Sequence, residues 1–178
     1  MGFTGAGVYE LRPFQAPDLN ANSWGGLLEA GAEIKTHPRA APSPEYANAK
    51  WQLALVAGSG DNAEYLIINV LTGYFITATS DNTVVTTPQI SPTDPTARWT
   101  IKSTPTQGSY ETYDVYTITS KVASRGQLSV KGSANVRATE IIAEPKKDAD
   151  NQKCQVSGLF WFLGRRSLSH SFGVWMQT

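Results

Sequence analysis

An all-β fold, closed from three similar blocks, is what this sequence predicts. Short runs rich in β-branched and aromatic residues recur, bounded by Gly, Pro, Asn, Asp and Ser, and no long stretch carries apolar residues at helical spacing. The runs repeat with a weak threefold period, which constrains architecture more than any single strand does. Two of the three blocks end in tryptophan.

Each block opens on a tyrosine strand: Val8-Tyr9-Glu10-Leu11, Glu64-Tyr65-Leu66-Ile67 and Val115-Tyr116-Thr117-Ile118. A strand leaving a turn follows: Leu19-Asn20-Ala21-Asn22, Tyr74-Phe75-Ile76-Thr77-Ala78 and Gly126-Gln127-Leu128-Ser129-Val130. Further strands are expected at Thr83-Val84-Val85-Thr86-Thr87 and Arg98-Trp99-Thr100-Ile101, with turns at Thr72-Gly73 and Ala57-Gly58-Ser59-Gly60-Asp61. Each block closes near a short polar tetrapeptide: Asn48-Ala49-Lys50-Trp51, Thr96-Ala97-Arg98-Trp99 and Asn151-Gln152-Lys153-Cys154. Three blocks with about four short strands apiece suit a barrel capped by hairpins, whereas a propeller usually needs at least four blades. No block could bury its apolar face alone. Trp51 and Trp99 are therefore read as core anchors on the common axis, where a large ring buries the most apolar area.

At 178 residues one domain is expected, and 15 basic residues balance 15 acidic ones. That balance gives no electrostatic footprint for nucleic acid or anionic lipid. No membrane span is apparent, and the first residues lack the basic and apolar regions of a secretory signal. Met1-Gly2 is not read as a myristoylation site, because Ala6 stands where Ser or Thr is required. The single cysteine, Cys154, excludes an intramolecular disulfide framework and a Cys-rich metal site. Cytoplasmic residence is the expectation, export without a signal also being compatible. No cofactor or metal is expected, since the chain has neither a Gly-rich phosphate loop nor a metal-spaced cluster. Catalysis is not expected either: His37 and His170 lie far apart, and Cys154 would need an adjacent base and a lowered pKa.

Asn151-Gln152-Lys153 and Asn48-Ala49-Lys50-Trp51 resemble the Q-x-W signature that ends each repeat of the ricin B-type lectins. From Val8 to Lys153 the chain is similar in particular to an ascomycete group of these lectins, through Tyr9-Glu10, Gln15-Ala16-Pro17, Lys50-Trp51-Gln52, Ala54 to Asp61 and Pro88 to Pro95. The resemblance implies a β-trefoil over residues 1–153 that binds glycans bearing galactose or N-acetylgalactosamine, and a homodimer. In the ricin pattern an acid or amide before the first hairpin and an asparagine beside Q-x-W hold the sugar hydroxyls. Carried over, these are Asn22 and Asn48 in the first block, with Trp24 and His37 as apolar contacts and Lys35 and Arg39 at the rim. The second block offers Ala78 and Thr96, the third Lys131 and Asn151, so the first block is expected to hold the pocket. Asn22 replaces the aspartate of ricin, which makes its hydrogen bonds neutral. The rival reading of the same fold is a protease inhibitor, because fold does not fix function.

The resemblance stops at Cys154, where the pattern asks for a third tryptophan. One of three equivalent core positions should therefore be underfilled, unless Phe160 or Trp161 folds back to replace the ring. Residues 154–178 are set apart as an atypical tail. One reading of it is translated intron: a tryptophan codon cut after its second base and followed by GT encodes cysteine. The rival reading is a genuine extra segment, Gly158-Leu159-Phe160-Trp161-Phe162-Leu163-Gly164-Arg165-Arg166, but its apolar run before the two arginines is far shorter than the ~20 residues that a membrane span needs, so no span is expected.

Overall fold

The computed structural model describes residues 3–39, 46–79, 83–107 and 112–158. Its strands are β1 (Gly7–Pro13), β2 (Leu19–Ser23), β3 (Ala32–Pro38), β4 (Lys50–Ala57), β5 (Glu64–Asn69), β6 (Phe75–Ala78), β7 (Val84–Thr87) and β8 (Arg98–Ser103). There follow β9 (Thr106–Gln107), β10 (Thr112–Tyr113), β11 (Tyr116–Ser120), β12 (Gln127–Val130), β13 (Ile141–Glu144) and β14 (Cys154–Gly158). No α-helix occurs among the described residues; single 3-10 turns link some of the strands. The segments rich in Val, Ile, Tyr and Thr became strands because their branched and aromatic side chains suit a half-buried pleated surface.

Six strands close a barrel. β1 pairs with β4, β4 with β5, β5 with β8, β8 with β11, β11 with β14 and β14 again with β1, all antiparallel. Closure removes the open edges that would invite association with other strands. The threefold period is written in the register, where Tyr9 faces Trp51, Tyr65 faces Trp99 and Tyr116 faces Cys154. The three opening tyrosines converge on Phe3, whose ring centroid lies 5.6, 5.4 and 5.7 Å from those of Tyr9, Tyr65 and Tyr116. These tilted and edge-on contacts suit the ring quadrupoles. Phe3 thus joins the core, a role that the sequence reading did not give it.

Three hairpins, β2–β3, β6–β7 and β12–β13, cap the barrel and meet one another through β3–β7 pairing and the bridges Lys35 to Glu140 and Thr83 to Ile142. Two fully buried tryptophans fasten the cap: Trp51 Nε1 donates to the Ala21 carbonyl at 2.9 Å and Trp99 Nε1 to the Ile76 carbonyl at 3.0 Å. Both polar handles are satisfied at fully buried positions. At the third position Cys154 makes only a 3.4 Å contact from Sγ to the Tyr116 carbonyl. A cavity of about 40 Å³ lies beside it, lined mainly by apolar groups including Leu11, Ile76, Ile118, Leu128 and Ile141. Among the described residues no ring fills the third seat as Trp51 and Trp99 fill theirs, and Phe160 and Trp161 lie outside those residues.

β14 pairs with β1 over five residues, from Tyr9 opposite Gly158 to Pro13 opposite Cys154. Cys154–Gly158, assigned to the tail in the sequence reading, therefore forms a barrel strand. Residues 159–178, with the apolar run and the remainder of the tail, lie outside the described residues.

Candidate functional site

β2 ends in Asn22 and Ser23, and the chain turns through Trp24 before two glycines in the left-handed region, Gly25 at φ 68° and Gly26 at φ 62°. A Cβ on Gly26 would come within 2.7 Å of Leu71 Cδ2, so glycine there permits the close turn that sets Trp24 at the surface. The partner strand β3 brings His37 alongside, and Asn48 follows from the 3-10 turn before β4. Together with Gly25, Tyr46 and Arg137, the residues Asn22, Trp24, His37 and Asn48 line an open cleft of about 380 Å³. The ring centroids of Trp24 and His37 are 6.3 Å apart, and Tyr46 meets His37 edge-on at 6.4 Å.

The floor of the cleft has a defined polarity. Asn48 Nδ2 donates to Asn22 Oδ1 at 3.1 Å and to the Ser23 carbonyl at 3.3 Å. A carbonyl can only accept, so the amide group of Asn48 must face inward, and Asn22 must answer it with its oxygen. Asn48 Oδ1 is left as an acceptor and Asn22 Nδ2 as a donor, neither with a partner among the described residues. A neighbouring donor and acceptor match two adjacent hydroxyls, each of which can give and take a hydrogen bond. His37 Nδ1 donates to the Pro38 carbonyl at 2.9 Å, which fixes the ring as part of the cleft wall.

The other two blocks lack this arrangement. The tryptophan bonds make Ile76 the counterpart of Ala21, which puts Thr77 rather than Ala78 opposite Asn22 in the repeat. Thr77 Oγ1 is engaged with Thr87 Oγ1 at 2.8 Å. Thr96, the counterpart of Asn48, donates its amide and its hydroxyl to Asp94, which holds that carboxyl below the usual range. In the third block Asn151 Nδ2 donates to Ser129 Oγ at 2.8 Å and to the Val130 carbonyl at 3.1 Å. Ser129, not Lys131, is thus the partner of Asn151, and Lys131 corresponds to Trp24. Lys131 is paired with Glu140 at 2.7 Å. By hairpin register His37 corresponds to Thr87 and Glu144, so neither block has an aromatic wall there.

Comparison with known proteins agrees with this architecture. Residues 47–144 match the model of the ricin-type β-trefoil lectin domain-like family. An agglutinin from Sclerotinia sclerotiorum is 55% identical over 153 residues, covering 86% of this chain and 96% of the relative. The chain belongs to the ricin-type β-trefoil lectins. It is a non-enzymatic carbohydrate-binding protein. Solved structures share the fold: the Rhizoctonia solani agglutinin has a TM-score of 0.66 at 19% identity and covers 88% of this chain and 98% of its own. The C-half of an earthworm R-type lectin, solved with GalNAc, has a TM-score of 0.57 at 18% identity, over 85% of this chain and 98% of its own. A designed threefold symmetric protein, ThreeFoil, scores 0.68 at 15% identity, over 85% of this chain and 99% of its own.

Of the six residues that the sequence singles out in this lectin, the fold brings four together: Asn22, Trp24, His37 and Asn48. Lys35 stands at the edge, with Nζ 5.5 Å from the centre of the Trp24 ring and 2.5 Å from Glu33. Arg39 is not among the lining residues. Its Nε and a terminal nitrogen reach the two carboxylate oxygens of Glu10 at 2.8 and 3.0 Å, tying the end of β3 to the barrel. Sequence reasoning missed Tyr46 and Arg137. Tyr46 could have been found, being an aromatic residue two positions before Asn48. Arg137 could not, because it arrives from the third block.

The chemistry of the lectin's cysteine is equally plain. Burial pushes the Cys154 thiol up to about 12, so at neutral pH it is a protonated core group rather than a nucleophile. Among the described residues no cluster of His, Cys, Asp or Glu could hold a metal ion. Nor is any described helix long and apolar enough to cross a membrane.

Proposed function

We propose that this lectin recognises terminal galactose or N-acetylgalactosamine in the first-block cleft. The observation that carries the reading is the floor of Asn22 and Asn48, with one open donor and one open acceptor beside the Trp24 and His37 rings. Asn22 and Asn48 bind two adjacent hydroxyls, while Trp24 or His37 covers the apolar face of the sugar. A wrong epimer leaves one of these amides unpaired, at about 1–3 kcal/mol. Affinity for a free monosaccharide is weak, since an open cleft buries few of its atoms.

Two copies of the chain joined in a homodimer give useful avidity on a multivalent surface. Leu27, Leu28, Val70 and Leu71 are exposed, and Gly26 and Tyr74 connect their segments beside the cleft, which leaves apolar area for a second copy. Calorimetry with methyl galactoside, N-acetylgalactosamine and methyl glucoside at millimolar concentration tests the specificity. Heat with the first two and none with the glucoside is expected; silence with both, alongside binding of an unrelated glycan, overturns the reading. Light scattering tests assembly, with a mass twice that of the chain as the expected result.

A further inference from the structure

We propose that the preferred ligand of the cleft is a galactoside bearing an anionic group, a sulfate ester or a carboxylate, and that Arg137 is the residue that binds the anion. This rests on the reading of the cleft as a galactose site.

Arg137 lines the cleft of the first block although it belongs to the third, in the connection between β12 and β13. Its guanidinium carbon lies 5.5 Å from the centre of the Trp24 ring. The loop that carries it is fastened to β3 at one buried threonine. Thr36 Oγ1 donates to the Val136 carbonyl at 2.7 Å and accepts from the Thr139 amide at 3.0 Å. Thr36 N donates to the Thr139 carbonyl and the Ala138 amide to the Thr36 carbonyl, each at 2.8 Å. Ala138 follows Arg137 with φ 65°, a conformation that costs free energy for any residue with a Cβ and persists only where its surroundings impose it. The backbone that carries Arg137 is therefore held by a preorganised loop, which directs the side chain over the Trp24 ring.

Among the described residues the charges around it are unbalanced. None of the described residues lining the cleft carries a carboxylate, and Asn22 stands where the ricin pattern has aspartate. The acids nearest in sequence and register, Glu33 and Glu140, are paired with Lys35 at 2.5 Å and with Lys131 at 2.7 Å. Arg137 has no ion pair among the described residues. A guanidinium resting on an aromatic ring keeps N–H donors for a planar or tetrahedral oxyanion, in a geometry that a lysine does not match. With Asn22 and Asn48 on two hydroxyls, an anion elsewhere on the sugar reaches this second, cationic wall.

The test titrates the full chain with methyl galactoside, its 6-sulfate, its 3-sulfate and sialyllactose, at low and high salt. At low salt at least one anionic sugar should bind about threefold to tenfold tighter than methyl galactoside. That advantage should shrink as salt screens the charge. The sulfated and sialylated arms tell which oxyanion is preferred. In Arg137→Gln the ratio of anionic to neutral affinity should fall to about one, and Arg137→Lys should keep part of it. Neutral binding without any anionic advantage overturns this inference and spares the galactose reading. An advantage that persists undiminished in Arg137→Gln overturns the assignment to Arg137. Absence of binding to every one of these sugars overturns the galactose reading itself.

Discussion

Replacing Cys154 by tryptophan should stabilise the fold, because it restores the third of three equivalent core rings. The cavity beside Cys154 measures about 40 Å³, and at ~24 cal/mol per Å³ of void it represents about 1 kcal/mol. A complete ring is worth more, since large-to-small aromatic changes in cores cost about 3–5 kcal/mol. The present cavity is smaller than an indole, so the neighbours must move outward, and such overpacking returns about 1–3 kcal/mol of the gain. The new indole N–H also needs an acceptor; the Leu128 carbonyl corresponds to the Ala21 and Ile76 carbonyls that serve Trp51 and Trp99. Taking the middle of each range, about 4 kcal/mol gained and about 2 returned, the net expectation is about 2 kcal/mol in favour of Cys154→Trp. For a chain of this size that raises Tm by roughly 4–8 °C. Differential scanning calorimetry of the two otherwise identical full-length chains measures it directly. An unchanged or lowered Tm would refute the argument and would mean that residues beyond Gly158 already fill the seat.

Two further outcomes follow from named contacts. The Cys154 thiol is raised from 9.0 to about 12 in the fold, so its contribution to stability is complete below pH 9 and is lost as pH climbs towards 12. This group should add up to about 1.4 kcal/mol per pH unit to the slope, an increment that Cys154→Ser lacks; denaturant melts of both proteins across that range check it, and equal slopes contradict it. Arg39→Ala should cost about 3 kcal/mol, the low end for a broken buried pair because Arg39 is itself partly exposed, since it strips the guanidinium from Glu10, a carboxylate only 1% exposed. Sugar affinity should stay within a factor of two, whereas a tenfold loss on calorimetric titration would put Arg39 at the rim after all.

The large features of the fold were legible because they obey one repeated rule. Tyr9, Tyr65 and Tyr116, with Trp51, Trp99 and the vacancy at Cys154, mark equivalent core positions, and a core position is dictated by hydrophobicity that one sequence displays. The hairpin strands were harder to read. In a strand a slip of one residue exchanges the two faces, and Thr77-Ala78 or Ser129-Val130 give no signal for which residue matches Asn22. Only the indole and amide hydrogen bonds to the Ala21, Ile76, Ser23 and Val130 carbonyls fix that register. Phe3 escaped notice because a lone aromatic residue in a glycine-rich terminus has no periodic partner. Arg39 looked like a rim residue because it follows β3 just past His37, yet Glu10 on the neighbouring barrel strand recruits it. Within the cleft, Asn22, Trp24, His37 and Asn48 were reachable through the resemblance to the ricin pattern, whereas Tyr46 of the same block was passed over. Arg137 was not reachable, since its place depends on how three hairpins meet around an axis.

The central claim, that sugar binds between Asn22 and Asn48 in the first block, is tested most directly by titrating Asn48→Ala and Asn151→Ala with the same galactoside. Circular dichroism should confirm that each is folded. Asn48→Ala should lose about tenfold in affinity, the equivalent of one neutral hydrogen bond at about 1–1.5 kcal/mol. Asn151→Ala should keep the affinity of the unaltered protein while melting earlier, because Asn151 is buried and its amide serves Ser129 and the Val130 carbonyl. Loss of binding in Asn151→Ala with retention in Asn48→Ala would contradict the account and move the sugar to the third block.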